Sequence, residues 1–237
     1  MPVDIKWFPP SWVQLKAKSK VIYIDPAYLK WHFVKYPTNI VYSDWPDEID
    51  GMPENLEKGN LLLITHSHKD HCKVVTINRL RDTDTMVLAP KRCTKALGDN
   101  FKVVKPGDKV VFEDVLIRAV DAYNTENGSS TRKNHHKGDG VGYLITIEGQ
   151  TIYHAGDTDF IPEMKKFGHI DVALLPAGGT FTMDVLEAIE AALVIKPTVV
   201  MPMHFKDADL QKFKTKIELS SSIKVVSLKT GESYKLE

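Results

Sequence analysis

An apolar run, Leu61-Leu62-Leu63-Ile64, leads straight into Thr65-His66-Ser67-His68-Lys69-Asp70-His71. This junction constrains the fold more than any other stretch. Four aliphatic residues bounded by polar ones read as a short buried strand. Three imidazoles and a carboxylate then crowd its end. Protonated, the histidines would repel one another; packed neutral, they add little stability of their own. A divalent cation resolves the conflict, because imidazole nitrogen and carboxylate oxygen are good ligands for zinc, iron or manganese. His66 and His68 are two apart and project to the same side of an extended chain. Asp70 and His71 follow a bend and can face a second metal. Paired metals lie about 3.5–4 Å apart and share a bridging oxygen, so one loop can supply half of a two-metal site. Lys69 has no role in that scheme and is expected to face solvent.

The rest of the chain is punctuated in the same way. Short apolar runs at 21–24, 86–89, 101–104, 109–112 and 115–120 end at Gly, Pro or charged residues and predict strands. Residues 141–147 and 151–155 flank Glu148-Gly149-Gln150 and predict a hairpin. Residues 172–177 and 198–205 read as buried strands, and 223–228 with 233–236 predict a second hairpin around Lys229-Thr230-Gly231-Glu232. Helix formers fill 183–195, with Thr182 as the expected N-cap, Asp184 complementing the helix dipole and Lys196-Pro197 as the stop. Further helices are expected over 72–81 and 207–218. Two sheets with helices packed outside them follow. No linker divides the chain, so residues 1–237 are read as a single domain.

Composition narrows the function. Lysine plus arginine equals aspartate plus glutamate at 31 each, which gives no global steering toward nucleic acid or a membrane. Two cysteines, Cys72 and Cys93, make no disulfide framework and fit a reducing compartment. The N-terminal residues lack a signal-peptide pattern, and no apolar run is long enough to span a bilayer. A cytoplasmic protein acting on a small molecule is expected, with self-association into a homo-oligomer left open.

Several of the nine histidines stand where apolar runs stop. His66 follows the 61–64 run, Asp157 follows Thr151-Ile152-Tyr153-His154-Ala155-Gly156, and His204 follows 198–203. Strand ends of this kind are where sheet proteins build sites. His32 and His169 read as ordinary solvated or hydrogen-bonded side chains. Cys72, directly after His71, reads as a packed thiol rather than a ligand.

At this point the residues resemble a family. His66-x-His68-x-Asp70-His71 after a buried strand is the signature of the metallo-β-lactamase-fold hydrolases. The later elements match in order: a histidine in Asn134-His135-His136-Lys137-Gly138, the Gly156-Asp157-Thr158 aspartate, and His204 in Met201-Pro202-Met203-His204-Phe205. The match runs from about Asp25-Pro26 to His204. It is similar to the small stand-alone subfamily that includes L-ascorbate-6-phosphate lactonase. Relatives often carry a Gly-His pair near the first strand, where this chain has Pro9-Pro10.

The resemblance implies an α/β (α+β) fold, a four-layer αββα sandwich with a dinuclear site. It implies two divalent ions, zinc first, with manganese or iron as alternatives. His66, His68 and a loop histidine would hold one ion. Asp70, His71 and His204 would hold the other, and Asp157 would bridge. The loop ligand is His135 or His136; the family's H-x-K-G pattern favours His135. Asp70 and His154 are the candidate catalytic residues: Asp70 to orient a metal-bridging hydroxide or take its proton, His154 to fix a ligand or contact substrate unless it is simply a satisfied core histidine. With neutral histidines, two divalent ions, Asp70, Asp157 and a bridging hydroxide would leave the site about one positive charge, which suits an anionic or ester-like substrate. Arg132, Lys133 and Lys137 could grip a phosphate or form a solvated basic loop, and 124–134 has the composition of a mobile lid. Hydrolysis of a small ester, lactone or phosphodiester is the expected activity. An RNA nuclease, a di-iron redox protein and a non-catalytic metal-bearing sensor are the competing readings, and the balanced charge speaks against nucleic acid. Trp31, Phe33, Tyr36, Tyr42 and Trp45, in the aromatic-rich stretch 28–59, could line a pocket or pack beneath a long loop.

Overall fold

Alternation builds the first sheet: along Val3–Phe8 buried Val3, Ile5 and Trp7 alternate with exposed Asp4 and half-buried Lys6. The computed structural model describes residues 1–29, 52–53 and 55–237. The aromatic side chains expected to line a pocket, and His32, fall outside them. The chain forms two compact units, one of Met1–Val103 with Leu228–Glu237 and one of Val104–Ser227.

The first unit holds strands β1 (Val3–Phe8), β2 (Trp12–Ala17), β3 (Lys20–Ile24), β4 (Leu61–Leu63), β5 (Met86–Ala89), β6 (Lys102–Val103) and β14 (Ser233–Leu236). They form one sheet in the order β14-β1-β2-β3-β4-β5-β6. It is antiparallel from β14 to β3 and parallel from β3 to β6. Helix α1 (Val74–Leu80) buries Thr76, Ile77 and Leu80, and a single turn, α2 (Thr94–Leu97), follows β5. Trp12, Tyr23, Leu62, Ile64, Ile77 and Cys93 share a core there with Cys72.

The second unit repeats the plan. Strands β7 (Lys109–Phe112), β8 (Val115–Ala122), β9 (Gly140–Ile147) and β10 (Gln150–His154) run antiparallel. Parallel strands β11 (Val172–Pro176), β12 (Val199–Met203) and β13 (Lys224–Val225) continue the sheet from β10. Helix α3 (Val185–Ile195) buries its alanine-rich face, including Ala188, Ala191 and Ala192. Helix α4 (Leu210–Ser220) buries only Phe213 and Ile217, one turn apart; each such side chain stabilises by about 2 kcal/mol. No helix among the described residues is long and apolar enough to cross a membrane.

Parallel pairing decides where functional residues emerge. In the first sheet Ile24, Leu63 and Leu88 lie in register, so the chain leaves β3, β4 and β5 along one edge. In the second, His154, Leu174 and Met201 do the same for β10, β11 and β12. Ligand sites in open parallel sheets form at such carboxyl ends.

Three expectations need correction. Residues 223–228 and 233–236 do not form a hairpin. Lys224–Val225 pairs in parallel with β12, whereas Ser233–Leu236 joins the edge of β1, whose backbone groups it satisfies. The cap of α3 is Asp184, not Thr182: Asp184 is extended and its carboxylate accepts the Glu187 N–H. The last helix begins at Leu210 because Asp209 caps it by accepting from Lys212 N.

Candidate metal centre

In the first unit the donors follow β4. His66 continues the extended chain; the backbone then turns, with His71 N and Cys72 N both donating to the His68 carbonyl at 3.0 and 2.7 Å. Asp70 and His71 come off that turn. Nε2 of His66 lies 3.0 Å from Nδ1 of His68, and their rings meet edge to face at 4.6 Å. His66, Asp70 and His71 are buried, while His68 and Lys69 are exposed.

One residue orients this cluster. Asp25 follows β3 and is completely buried. It adopts φ 47°, in the left-handed region that aspartate tolerates better than most residues. Its carboxylate accepts from Thr65 N and Thr65 Oγ1, both at 2.7 Å. Oδ2 also lies 2.7 Å from His71 Nδ1. That contact places the imidazole proton on Nδ1 and leaves Nε2 as the lone-pair nitrogen. Nε2 then stands 3.8 Å from the Asp70 carboxylate.

In the second unit the donors are spread along the chain and gathered by the sheet. Asp157 follows β10 and His204 follows β12, at φ 46°. His135 closes the loop between β8 and β9. Its backbone N–H donates to Asn124 Oδ1 at 2.9 Å, and its Nδ1 lies 3.1 Å from the Phe181 carbonyl and 3.2 Å from Asn124 Oδ1. Nδ1 therefore carries the proton, and Nε2 faces Asp157 Oδ2 at 3.5 Å. Nε2 of His204 faces the same oxygen at 3.6 Å. His136 is exposed. Fully buried His154 accepts the Gly156 N–H on Nδ1 at 3.3 Å, bracing the turn that presents Asp157.

These spacings fit metal ligands better than they fit hydrogen bonds. Separations of 3.5 and 3.6 Å are too long for good hydrogen bonds. Two ligands on a tetrahedral zinc, each about 2.0–2.1 Å from the ion, stand about 3.3 Å apart. Each of His66, His68, Asp70, His71, His135, Asp157 and His204 belongs to a group of histidines, or of histidines and aspartates, whose ligand atoms lie within 4.8 Å of one another and could hold a metal ion.

The basic side chains of the loop have partners within the protein. Lys133 Nζ donates to Gly128 O, Ser130 Oγ and Asp159 Oδ2 at 2.7, 2.9 and 3.1 Å. Lys137 pairs with Glu163 at 2.6 Å and lies over the Tyr123 ring. That hydrogen bond raises the Lys137 pKa. Arg132 lies over the Phe181 ring at 5.6 Å. The stretch 124–134 is not built as a loose lid: Thr131 N and Arg132 N donate to Gly179 O and Thr180 O, and Ser129 donates to Glu187. Cys72 packs in the core, where its hydrogen bond to Cys93, together with burial, pushes the Cys93 thiol up. Exposed His169 pairs with Asp171 at 3.1 Å.

Sequence reasoning missed Asp25, Asn124 and Asp159 as parts of the site. For Asp25 a signal existed: an aspartate directly after an apolar run has the same form as the strand ends that carry Asp157 and His204. Asn124 and Asp159 had none, since their partners lie eleven or more positions away.

Comparison with known proteins gives the family and the fold. Residues 4–204 match the family described as Beta-lactamase superfamily domain. A UPF0173 metal-dependent hydrolase of Pyrococcus furiosus is 37% identical over 198 residues, covering 78% of this chain and 84% of the relative. The crystal structure of a protein described as a metal-dependent hydrolase from Parabacteroides distasonis superposes with TM-score 0.77 at 30% identity, covering 95% of this chain and 92% of that one. Igni18, a metallo hydrolase of the archaeon Ignicoccus hospitalis, superposes with TM-score 0.75 at 26% identity, covering 100% and 99%. The fold is thus the metallo-β-lactamase fold that the motifs imply, and the chain belongs to the beta-lactamase superfamily and, within it, to the UPF0173 metal-dependent hydrolases.

Proposed function

We propose that the seven donors form one dinuclear centre that hydrolyses a small ester, lactone or phosphodiester. His66, His68 and His135 would hold one ion and Asp70, His71 and His204 the other, with Asp157 between them. This is the division the family resemblance implies, and it uses His135 rather than exposed His136. The observation that carries the reading is Asp157 Oδ2 with two imidazole Nε2 atoms near it, that of His135 at 3.5 Å and that of His204 at 3.6 Å. Zinc is the first choice because three-histidine sets suit it, while manganese and iron fit the same donors.

When bound, such ions lower the pKa of coordinated water toward about 7 and so supply a nucleophile at neutral pH. The chain's own groups do the rest. Asp25 and the Asn124–Phe181 pair keep His71 and His135 in the tautomer that offers Nε2. Asp70, buried beside His71, orients the attacking water and takes its proton. His154 positions Asp157 through the Gly156 N–H. The net charge of about +1 favours a substrate that is anionic or becomes so during attack.

The test joins a metal assay to a hydrolysis panel of esters, lactones, thioesters and phosphodiesters. Two ions per chain and chelator-sensitive turnover are expected. Asp157→Ala should keep its circular dichroism, bind at most one ion and lose at least about a hundredfold in turnover. Metal-loaded protein that turns over nothing in the panel sinks the reading. Salt-sensitive RNA cleavage would replace it with a nuclease, and an iron-loaded form that reduces dioxygen without hydrolysing would replace it with a redox protein.

A further inference from the structure

Asp159 has no part in the chemistry above, yet its side chain is fully buried. A buried carboxylate must be compensated by hydrogen bonds or a counter-charge. Every compensating group comes from one stretch of chain, residues 125–133. Oδ2 accepts from Thr125 N at 2.9 Å, Ser130 Oγ at 2.8 Å and Lys133 Nζ at 3.1 Å, and Oδ1 accepts from Ser130 N at 3.3 Å. The loop wraps the carboxylate so closely that a Cβ on Gly128 would stand 2.1 Å from Oδ2 and 2.3 Å from Cγ. Space, not a left-handed backbone, is what requires glycine there.

The ends of this loop are clasped. Asn124 N donates to His135 O at 2.7 Å, and His135 N donates back to Asn124 Oδ1. The segment is therefore a closed Ω-type loop filled by a carboxylate instead of its own side chains. Asp159 itself is fixed by its N–H to Tyr123 O at 3.0 Å. It lies two residues after Asp157, while the loop it fills ends on His135. One side chain thus ties the segment that presents Asp157 to the segment that presents the imidazole opposite it.

We propose that Asp159 is a positioning residue for His135, setting where Nε2 stands relative to Asp157. The proposal rests on the reading of His135 as a metal ligand. Removing the carboxylate deprives Lys133 of its counter-charge and Thr125 and Ser130 of their shared acceptor. The loop then loosens and the imidazole loses its fixed place, while the sheet is untouched.

Zinc affinity, measured by competition with a chromogenic chelator, and the rate of tryptic cleavage after Arg132 or Lys133 test this together. Asp159→Asn keeps the shape and removes the charge. It should retain wild-type circular dichroism, lose about ten- to a hundredfold in zinc affinity and be cut about tenfold faster. Gly128→Ala should do the same with Asp159 intact. The Gly128→Ala, Asp159→Gly double variant should be no worse than Asp159→Gly alone, because the three atoms nearest the added methyl, Oδ2, Cγ and Cβ of Asp159, are then gone. A purely structural role would lower the unfolding temperature and leave the zinc affinity of the folded protein unchanged, and that result overturns the proposal. If Asp159→Asn does not fold, Ser130→Ala, which deletes one donor, should show both changes on a smaller scale, and wild-type affinity there overturns it equally. Wild-type protein that takes up no zinc would instead defeat the hydrolase reading and the His135 assignment with it.

Discussion

The loops that end on His71 and His135 deliver the same kind of ligand by opposite constructions. The His66–His71 loop is short and dense with donors. It is closed by its own turn onto the His68 carbonyl and steadied by one carboxylate from the neighbouring strand end, Asp25. The Asn124–His135 loop is long and carries one buried imidazole at its far end. It is steadied by carboxylates from elsewhere in its unit, Asp159 inside it and Glu187 on α3. In the first, ligand geometry is a local property of the chain. In the second it is a tertiary property, and the loop is only as fixed as its remote anchors.

The largest effect is expected at Asp25. Asp25→Asn removes the acceptor that holds the His71 Nδ1 proton and weakens two bonds from Thr65. Charge-assisted hydrogen bonds contribute about 1.5–3 kcal/mol each, so chemical denaturation should show a loss of about 3 kcal/mol. Zinc affinity should fall about ten- to a hundredfold, as for other partners of metal-ligating histidines. The contrast with the long loop is sharp: tryptic cleavage after Arg132 and Lys133 should keep its wild-type rate. Faster cleavage there in Asp25→Asn would break the distinction between local and remote anchoring.

That distinction also explains what was legible in the sequence. The 61–71 junction declared both its strand and its donors, because the apolar run and the histidines are contiguous. The strands at 21–24, 86–89, 109–112 and 141–147 were readable for the same reason. Strands β1 and β2 are less legible: Val3-Asp4-Ile5-Lys6-Trp7 alternates and so offers no uninterrupted apolar run of the kind that marks the other strands. The fate of Ser233–Leu236 depended on the free edge of β1, far away in sequence. Asn124-Thr125-Glu126-Asn127-Gly128-Ser129-Ser130 looks like a mobile segment by composition. It is ordered because its hydroxyls and glycine fit carboxylates that composition cannot see.

A middle-sized effect is expected where β12 ends. His204 sits at φ 46°, and its carbonyl oxygen lies where a Cβ on Gly178 would stand, 2.5 Å away. The obstacle is backbone and cannot swing aside as a long side chain would. Gly178→Ala should cost about 1–3 kcal/mol, the range for forced overpacking. It should also weaken zinc binding by displacing the imidazole that faces Asp157. If stability falls and affinity does not, His204 is held by its ligand geometry and not by its backbone, which would move it from the remote class toward the local one.

The smallest effect separates the two anchors of the long loop. Burial raises the pKa of Glu187 and Asp159 adds to this by repulsion, although hydrogen bonds from Ser129 oppose both. A carboxylate with a folded-state pKa above its unfolded value favours the folded state when protonated. That contribution is complete below the unfolded pKa and is lost as pH rises through the folded one. At neutral pH, therefore, ionised Glu187 is a net cost that the Ser129 bonds only partly offset. Glu187→Gln keeps an acceptor for Ser129 N and removes the charge facing Asp159. Its thermal midpoint at pH 7 should equal or slightly exceed wild type, and the difference should vanish as the wild-type carboxyl takes up its proton toward acid pH. Zinc affinity should stay within about twofold, because Glu187 bonds the loop only at Ser129, whereas Asp159 accepts from Thr125, Ser130 and Lys133. A fall in affinity as large as that expected for Asp159→Asn would show that the loop has two equivalent anchors instead of one anchor and one brace.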